Sequence, residues 1–345
     1  MSFFADFFHK VDKTDSVILI DISTGSIAGA YVQNKKGALP ALLYSRRMPI
    51  EMREGEAHEA AMLRALKVLS ESLLREGAPV LARATGSGAA NSILVSIDAP
   101  WQKTIVRMEE HEEKPSFVFS RGLVADIVKK TDSKALDTQY ADESIIGTML
   151  NGYQTSNPYG KRAHRAQIVI LTSRIDTRVA KGIIATLQAT YHTKKILPIA
   201  GDSMRYQVLR TLFPYEKSAL LIDATSPLTT VALVNKGLFI CVDALPVDDK
   251  QPWIDRVVKQ FSELGTRYPL PRTIFLLARD PESVDMQKAL SEANLGKLWL
   301  SDTPPRIVAV VPSHLSEFVK QVTTAPPDLS LLFMAIYWQN RSLEK

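Results

Sequence analysis

Residues 17–32 read VILIDISTGSIAGAYV, and residues 219–234 read ALLIDATSPLTTVALV. In each stretch an apolar run ends at an aspartate, a short polar turn follows, and a second apolar run begins. Short apolar runs bounded by turn residues predict β-strands. The sequence therefore predicts two copies of one strand–turn–strand element. An ungapped alignment pairs identical residues at Leu19/Leu221, Ile20/Ile222, Asp21/Asp223, Ala30/Ala232 and Val32/Val234.

Both copies continue in the same way. A basic turn ending in glycine comes next, NKKG at 34–37 and NKG at 235–237, and a third apolar run follows at 38–44 and 238–245. Three strands joined by short turns form an antiparallel meander. Two such meanders predict two related halves, and the alternative is a chance similarity between unrelated meanders.

The rest of the chain alternates predicted strands and helices, which indicates an α/β fold. Between the meanders the order strand, helix, strand, strand, helix predicts a small inserted domain. The predicted division is an N-terminal segment 1–14, a first lobe 15–104 completed by 326–345, an inserted domain 105–195, and a second lobe 196–325.

Local signals predict four helices that bear on this division. One covers 56–76 and is stopped by Gly77 and Pro79, and another begins after Asp176 and ends near Tyr191. A third covers 313–322 with Ser313 as its cap. The fourth, over 328–340, is largely apolar and too short to span a bilayer, so we expect it to be buried between the lobes.

The bulk composition restricts the class of protein. The chain of 345 residues has a net charge of +5, a pI near 9.1 and one cysteine, Cys241. One cysteine excludes an intrachain disulfide framework and favours a cytoplasmic location. Basic residues are not interleaved with aromatic ones, so we expect no nucleic-acid binding. The sequence has no stretch of the roughly 18 apolar residues that a transmembrane helix needs.

The aromatic stretch MSFFADFFHKVDK at the N-terminus places four phenylalanines on one helix face. Two interpretations stay open for it: a short helix that caps the fold, or an element that docks on a partner or on a membrane surface.

The aspartates that end the first strand of each meander are the main candidates for a site. If the two turns face each other across a cleft, their backbone N–H groups could bind a phosphate tail, and Asp21 and Asp223 could hold Mg²⁺ through water. The alternative is structural: each carboxylate accepts N–H bonds from its own turn.

The paired motifs resemble phosphate-1 and phosphate-2 of the actin-like ATPases. LNGY at 150–153 and NPYG at 157–160, followed by the predicted strand 166–173 and helix 176–191, resemble the SHS2 domain of the bacterial FtsA and PilM proteins. The resemblance implies an actin-like (RNase H-like) two-lobed fold with an inserted SHS2-like subdomain. It also implies ATP and Mg²⁺ as ligands, with nucleotide contacts from Asp21, Ser23, Thr24, Gly25, Ser26, Asp223, Thr225 and Ser226.

For function, the resemblance implies a cytoplasmic protein at the inner face of the membrane, in type IV pilus assembly or in cell division. Its partners would be inner-membrane-associated assembly proteins, with self-association into rings or filaments and peripheral contact with the membrane.

The motifs depart from the family pattern where glycines are expected. Ser23 replaces the first glycine of phosphate-1, and phosphate-2 has no glycine and contains Pro227, which has no N–H to offer a phosphate. The adenosine-contacting Gly-Gly is replaced by residues 278–280, Ala-Arg-Asp. The departures favour a scaffold that binds ATP weakly or not at all and has no catalytic residue. The alternative is an active ATPase or small-molecule kinase with Asp21 as its base.

Overall fold

The computed structural model describes residues 14–131, 138–155, 157–245, 247, 250–280, 282–299 and 303–343. The aromatic N-terminal stretch lies outside the described residues. Within the described residues, strands form three sheets and helices pack on and between them.

The first sheet has the strand order β15-β3-β2-β1-β4-β9. Its strands are β1 (Thr14–Ile22), β2 (Ser26–Lys35), β3 (Ala41–Pro49), β4 (Ser92–Ile97), β9 (Ile196–Ala200) and β15 (Lys320–Gln321). The second sheet has the order β12-β11-β10-β13-β14. Its strands are β10 (Ala219–Ala224), β11 (Thr230–Asn235), β12 (Leu238–Ala244), β13 (Thr273–Ala278) and β14 (Arg306–Val310).

The third sheet has the order β5-β8-β6-β7. Along the chain it is inserted between β4 and β9 of the first sheet. Its strands are β5 (Gln102–Val118), β6 (Thr138–Leu150), β7 (Tyr153–Gln154) and β8 (Arg162–Asp176). The described helices are α1 (His58–Ser72), α2 (Ala78–Thr85), α3 (Arg121–Thr131), α4 (Thr177–Tyr191), α5 (Gly201–Leu212), α6 (Trp253–Gly265), α7 (Glu282–Glu292) and α8 (Leu329–Leu343).

The two meanders have matching topology. β1 pairs antiparallel with β2 and parallel with β4, and β10 pairs antiparallel with β11 and parallel with β13. Asp21 and Asp223 occupy equivalent places near the ends of the two central strands. The interior strand positions are buried on both faces, which explains why these strands read as nearly continuous apolar runs.

One apolar core joins the first and second sheets. It combines side chains from β1 and β10 with those of α5 and α8, for example Leu19, Leu221, Met204 and Phe333. Helix α8 is buried around its circumference, as a helix without a polar face must be. This confirms the prediction that the apolar C-terminal helix lies between the lobes. No helix among the described residues is long and apolar enough to cross a membrane.

Two of the helix predictions are wrong, one in its end point and one in the type of structure. Gly77 and Pro79 do not stop the helix that follows the first meander, because a π-helical turn at Leu73–Gly77 leads directly into α2. Pro79 lies in the first turn of α2, directly after the π-helical turn, at a junction where a proline deforms the helix without ending it. Segment 313–322 is not a helix: a 3₁₀ turn at Pro312–Leu315 is followed by β15, whose Lys320 N–H donates to Pro40 O.

Strand pairing also places two stretches differently from the predicted boundaries. β9 pairs with β4, and β15 pairs with β3, so both belong to the first sheet although the sequence assigned 196–325 to the second lobe. Pairing between distant segments leaves no local signal in the sequence. By contrast, Asp176 caps α4 as predicted, accepting bonds from the N–H groups of Arg178 and Val179.

Candidate functional site

The two meander turns come into direct contact between the sheets. A Cβ built on Gly25 would lie 3.1 Å from Cγ of Pro227. Asp21 and Asp223, immediately before these turns, are 0% and 5% exposed. The structure thus brings the predicted site residues together, but it packs one turn on the other where a phosphate tail would have to pass.

The first turn uses its polar groups internally. Both the N–H and the hydroxyl of Ser23 donate to Ser26 O, at 3.1 and 2.9 Å. The Thr24 hydroxyl donates to Ala99 O at 2.7 Å, and the indole N–H of Trp101 reaches Ser23 O at 3.4 Å. These groups are therefore committed to holding the turn in place.

The second turn is closed by its own aspartate. The Thr225 N–H and hydroxyl both donate to Asp223 Oδ1, at 3.0 and 2.6 Å. The Ser226 hydroxyl donates to Leu228 O at 2.9 Å. With Pro227 lacking an N–H, the turn presents few donors to a phosphate.

Arg47 of β3 neutralises Asp21. Its Nη2 lies 2.8 Å from Asp21 Oδ2, and its Nε and Nη2 make a two-point contact with the Asp328 carboxylate at 2.5 and 3.0 Å. Burial alone would lower the pKa of Arg47, but Asp328 and Asp21 together raise it. Asp21 Oδ1 keeps no hydrogen-bond partner among the described residues, so this carboxylate is neutralised but not saturated.

Arg205 of α5 holds the second aspartate and bridges the two sheets. It is 2% exposed, its Nη2 donates to Asp98 Oδ1 at 2.6 Å, and its Nε forms an ion pair with Asp223 Oδ2. Asp98 follows β4 of the first sheet and Asp223 lies in β10 of the second. Gly201 makes room for this contact, because a Cβ there would lie 1.8 Å from Asp98 Oδ1.

One cation faces three buried carboxyls in this cluster. Burial raises the pKa of Asp98 to about 8, against the opposing pull of Arg205. Burial also raises the pKa of Asp202, which accepts bonds from Gln102 Nε2 at 3.1 Å and from the Thr104 hydroxyl at 3.3 Å. The raised pKa values of Asp98 and Asp202 reflect the cost of ionising both carboxyls out of water beside a single arginine.

A third arginine crosses between the lobes where the family pattern has a glycine. Arg279, directly after β13, donates to the Ser26 hydroxyl at 3.0 Å. Burial and the neighbouring Arg47 lower its pKa. Among residues 278–280, which replace the expected Gly-Gly, Arg279 therefore makes the contact with the first turn.

The space left beside Asp223 is small. A cavity of about 10 Å³ is bounded by Asp98, Arg205 and Asp223. That is room for one water at most. A larger cavity of about 400 Å³ lies beside Arg47, Arg279 and the first residues of α8. The residues present therefore do not fit a Mg²⁺–triphosphate group between the turns in this closed arrangement.

Among the residues that the structure describes, no group of three or more His, Cys, Asp or Glu side chains is arranged to hold a metal ion. His111, within the acidic run 109–113, pairs with Glu113 at 3.1 Å and stacks edge-on against Phe117.

The sequence motifs do not reveal the residues around the two motif aspartates, which are Arg47, Arg205, Asp98 and Asp328. A signal existed for Arg205: Asp202 and Arg205 are spaced for one turn of a helix whose other buried positions include Met204, Val208 and Leu209. Charges at such positions mark a buried network.

Comparison with known proteins agrees with this architecture. No family model and no curated protein match the sequence. A chain of the PilM–PilN type IV pilus biogenesis complex is similar in structure, with 13% identity and a TM-score of 0.58, over 94% of this chain and 98% of that chain.

Two further solved structures are more distant. One is a Bacteroides thetaiotaomicron protein with an actin-like ATPase fold and unknown function, with 8% identity and a TM-score of 0.47 over 95% of this chain and 99% of that chain. The other is the ethanolamine utilization protein EutJ from Carboxydothermus hydrogenoformans, with 10% identity and a TM-score of 0.44 over 93% and 89%. The chain has an α/β, actin-like, two-lobed fold, in keeping with its likeness to the chain of the PilM–PilN complex.

Proposed function

We propose that this chain is a scaffold protein of the actin-like fold whose cleft is held together by its own arginines and needs no nucleotide. The observation that carries the proposal is the Arg205 bridge between Asp98 and Asp223. In an actin-like ATPase this region would accommodate Mg²⁺ and phosphates. Here a fixed cation supplies the positive charge between the lobes.

The proposal extends to biological role. The similar chain of the PilM–PilN complex supports a place in type IV pilus assembly, and the FtsA-like features of the sequence keep cell division as the alternative setting. The inserted four-stranded sheet with α3 serves as the SHS2-like subdomain, while α4 packs against α1 in the core of the first sheet. The protein acts in the cytoplasm at the inner membrane face, binds membrane-associated assembly proteins, and self-associates into rings or filaments.

A thermal-melting series with Mg-ATP separates the scaffold from the ATPase or kinase alternative. A ligand present at 100 times its Kd stabilises a protein by about 2.7 kcal/mol. We expect millimolar Mg-ATP to leave the melting temperature unchanged and no phosphate to be released. A rise of more than about 2 °C would show nucleotide binding and overturn the nucleotide-independent scaffold.

The role in assembly needs a separate test. We expect the protein to sediment with inner-membrane vesicles from its own cells, to be released by mild detergent together with a membrane protein, and to do so equally with and without ATP. Recovery in the soluble fraction alone would contradict the membrane-linked part of the proposal.

A further inference from the structure

One end of the first sheet carries a concentration of positive charge. Strands β1, β3, β4, β9 and β15 all begin at this end and β2 ends there, as the pairing of the six strands requires. Helix α2 also ends here, where Ala84 O accepts a bond from Gln33 Nε2 at 3.3 Å. Six exposed cations lie at these ends or in the adjoining turns, and we call the surface that they form the basic pole: Lys35, Lys36, Arg83, Lys194, Lys195 and Lys320.

The cations of the basic pole are not neutralised within the fold. Among the residues that the structure describes, none of the six forms an ion pair. The carboxylates Asp15 and Glu317 belong to the same end of the sheet, and Asp15 accepts a bond from the Trp338 indole N–H at 3.2 Å. The whole chain has a net charge of only +5, so this excess of cations at one end means that the positive charge is segregated.

The basic pole is broad and open. It extends across all six strands of the sheet, and because neighbouring strands lie about 4.8 Å apart it is about 24 Å wide. Its cations lie on strand ends and turns, and none of them lines the cavities beside Arg47 or Asp223. Such a surface suits an extended anionic plane better than a small ligand, which needs a concave site.

Apolar side chains are exposed beside these cations. Leu39, in the connection between β2 and β3, is 46% exposed, and Phe318, just before β15, is 36% exposed. The chain enters the first sheet at Thr14, so residues 1–13, whose sequence MSFFADFFHKVDK has four phenylalanines, join the fold at the basic pole. A membrane surface accepts both kinds of group, because anionic headgroups attract lysine and arginine and the acyl boundary takes up apolar side chains.

The basic pole is remote from the arginine cluster of the cleft. Asp21 lies near the end of β1 and Asp98 follows β4, so both lie at the opposite end of the same sheet. From Thr14 to Asp21 the strand extends about 23 Å, at about 3.3 Å per residue. Contact of the basic pole with a surface therefore leaves the cleft as it is.

We infer that the basic pole binds the anionic phospholipid headgroups of a membrane surface directly, with its six cations at the headgroups and with Leu39 and Phe318 at the acyl boundary. The inference rests on the proposed role at the inner membrane face, and it adds a lipid contact that requires no membrane protein. Single-stranded nucleic acid is held in basic grooves. The spread of the cations over strand ends, with exposed apolar side chains among them, selects the lipid surface instead.

Co-sedimentation of the full chain with protein-free vesicles tests the inference. We expect the chain to sediment with vesicles of phosphatidylglycerol and phosphatidylcholine, to stay in solution with vesicles of phosphatidylcholine alone, and to be released as the salt concentration rises. The quadruple variant Lys35→Gln/Lys36→Gln/Lys194→Gln/Lys195→Gln should bind the anionic vesicles at least about fifty-fold more weakly, because each cation near such a surface contributes about five-fold to the affinity.

The matched control is Lys67→Gln/Lys181→Gln/Lys259→Gln/Lys288→Gln, which removes the same charge from exposed positions of α1, α4, α6 and α7. We expect it to lose little affinity for the anionic vesicles, because charges more than a Debye length from the surface are screened. Equal losses in the two quadruple variants would show that net charge alone matters, and would overturn the inference.

Two results with the unmodified chain would also overturn the inference: sedimentation with neither kind of vesicle, and equal sedimentation with both. Tighter binding to a single-stranded oligonucleotide, lost in the basic-pole variant, would reassign the surface to nucleic acid. If that variant has a lowered melting temperature, the smaller change Lys194→Gln/Lys195→Gln and the salt dependence of the unmodified chain keep the comparison valid. Because these vesicles contain no protein, failure here is distinct from failure of the proposed role, which is tested with inner-membrane vesicles.

Discussion

At the scale of single residues, the cleft depends on arginines that replace external cations. Arg205 and Arg47 each form an ion pair with one motif aspartate, and each also binds a second carboxylate, Asp98 or Asp328. A buried ion pair is expensive to break from one side, because the remaining charge stays out of water without a partner. Of the two, Arg205 bridges the lobes, and it does so beside the apolar core that the first and second sheets share.

Replacing Arg205 tests this dependence. We expect Arg205→Met, which keeps the length and removes the charge, to lower the free energy of unfolding by about 3–5 kcal/mol at neutral pH in urea titrations. The control Arg178→Met removes an arginine that is 81% exposed in its pair with Glu59, and its cost should stay below about 1 kcal/mol. Similar losses in both variants would show that Arg205 has no special role.

The raised pKa of the buried Asp98 carboxyl predicts an unusual pH dependence of the stability of the fold. Because its pKa is raised from 3.8 to about 8 in the fold, its protonation stabilises the folded state below the lower value. That contribution is lost as the pH rises through about 8. We expect Asp98→Asn to flatten the decline in melting temperature between pH 3.8 and about 8. Asp202, whose pKa is also raised, should leave a residual slope in the variant. Identical pH profiles for wild type and variant would contradict the assignment.

The site residues could be predicted from the sequence only in part. Asp21 and Asp223 stand out because each ends an apolar strand in a repeated motif. Arg47 does not stand out, because a charged residue in a strand is usually on the solvent side, and the signal for Arg205 is limited to its spacing from Asp202. Their contacts join residues up to 281 positions apart, and no local pattern records such a pairing.

At the scale of elements, close approaches between segments fix the site. Helix α5 begins at Gly201, directly beside Asp98, and so delivers Arg205 to the cluster one turn later. Three features were predictable because they depend on local sequence alone. The meander strands follow from periodicity, the Asp176 cap from the residue type at the helix start, and α8 from its apolar composition. The helix proposed for 313–322 failed because Val319 is buried and Lys320 joins the edge of the first sheet, which is a tertiary effect.

Gly201 offers a test at this scale. We expect Gly201→Ala to reduce stability by about 1–3 kcal/mol, since the new methyl group must displace Asp98 or the start of α5. Gly296→Ala is the matched control, because nothing lies within 4 Å of its added Cβ and its backbone is not left-handed. Equal melting temperatures for the two variants would mean that Asp98 and α5 are less closely packed than described.

At the scale of the whole molecule, the chain keeps an actin-like architecture while the chemistry of its cleft differs. It consists of two sheets, an inserted sheet, and the helices α5 and α8 in the core that the first and second sheets share. The duplicated meander predicted the fold, and the missing glycines predicted a weakened nucleotide site. The structure adds the physical basis for the proposal: the turns touch at Gly25 and Pro227, and Arg205 bridges the lobes.

The central claim is that Arg205, and not a metal–nucleotide complex, joins the two meanders. A crystal structure determined after soaking with millimolar Mg-ATP tests it most directly. The account predicts Arg205 between Asp98 and Asp223, Pro227 against Gly25, and no phosphate density between the turns. A Mg²⁺ ion held through water by Asp21 and Asp223, with Arg205 displaced from both carboxylates, would contradict it.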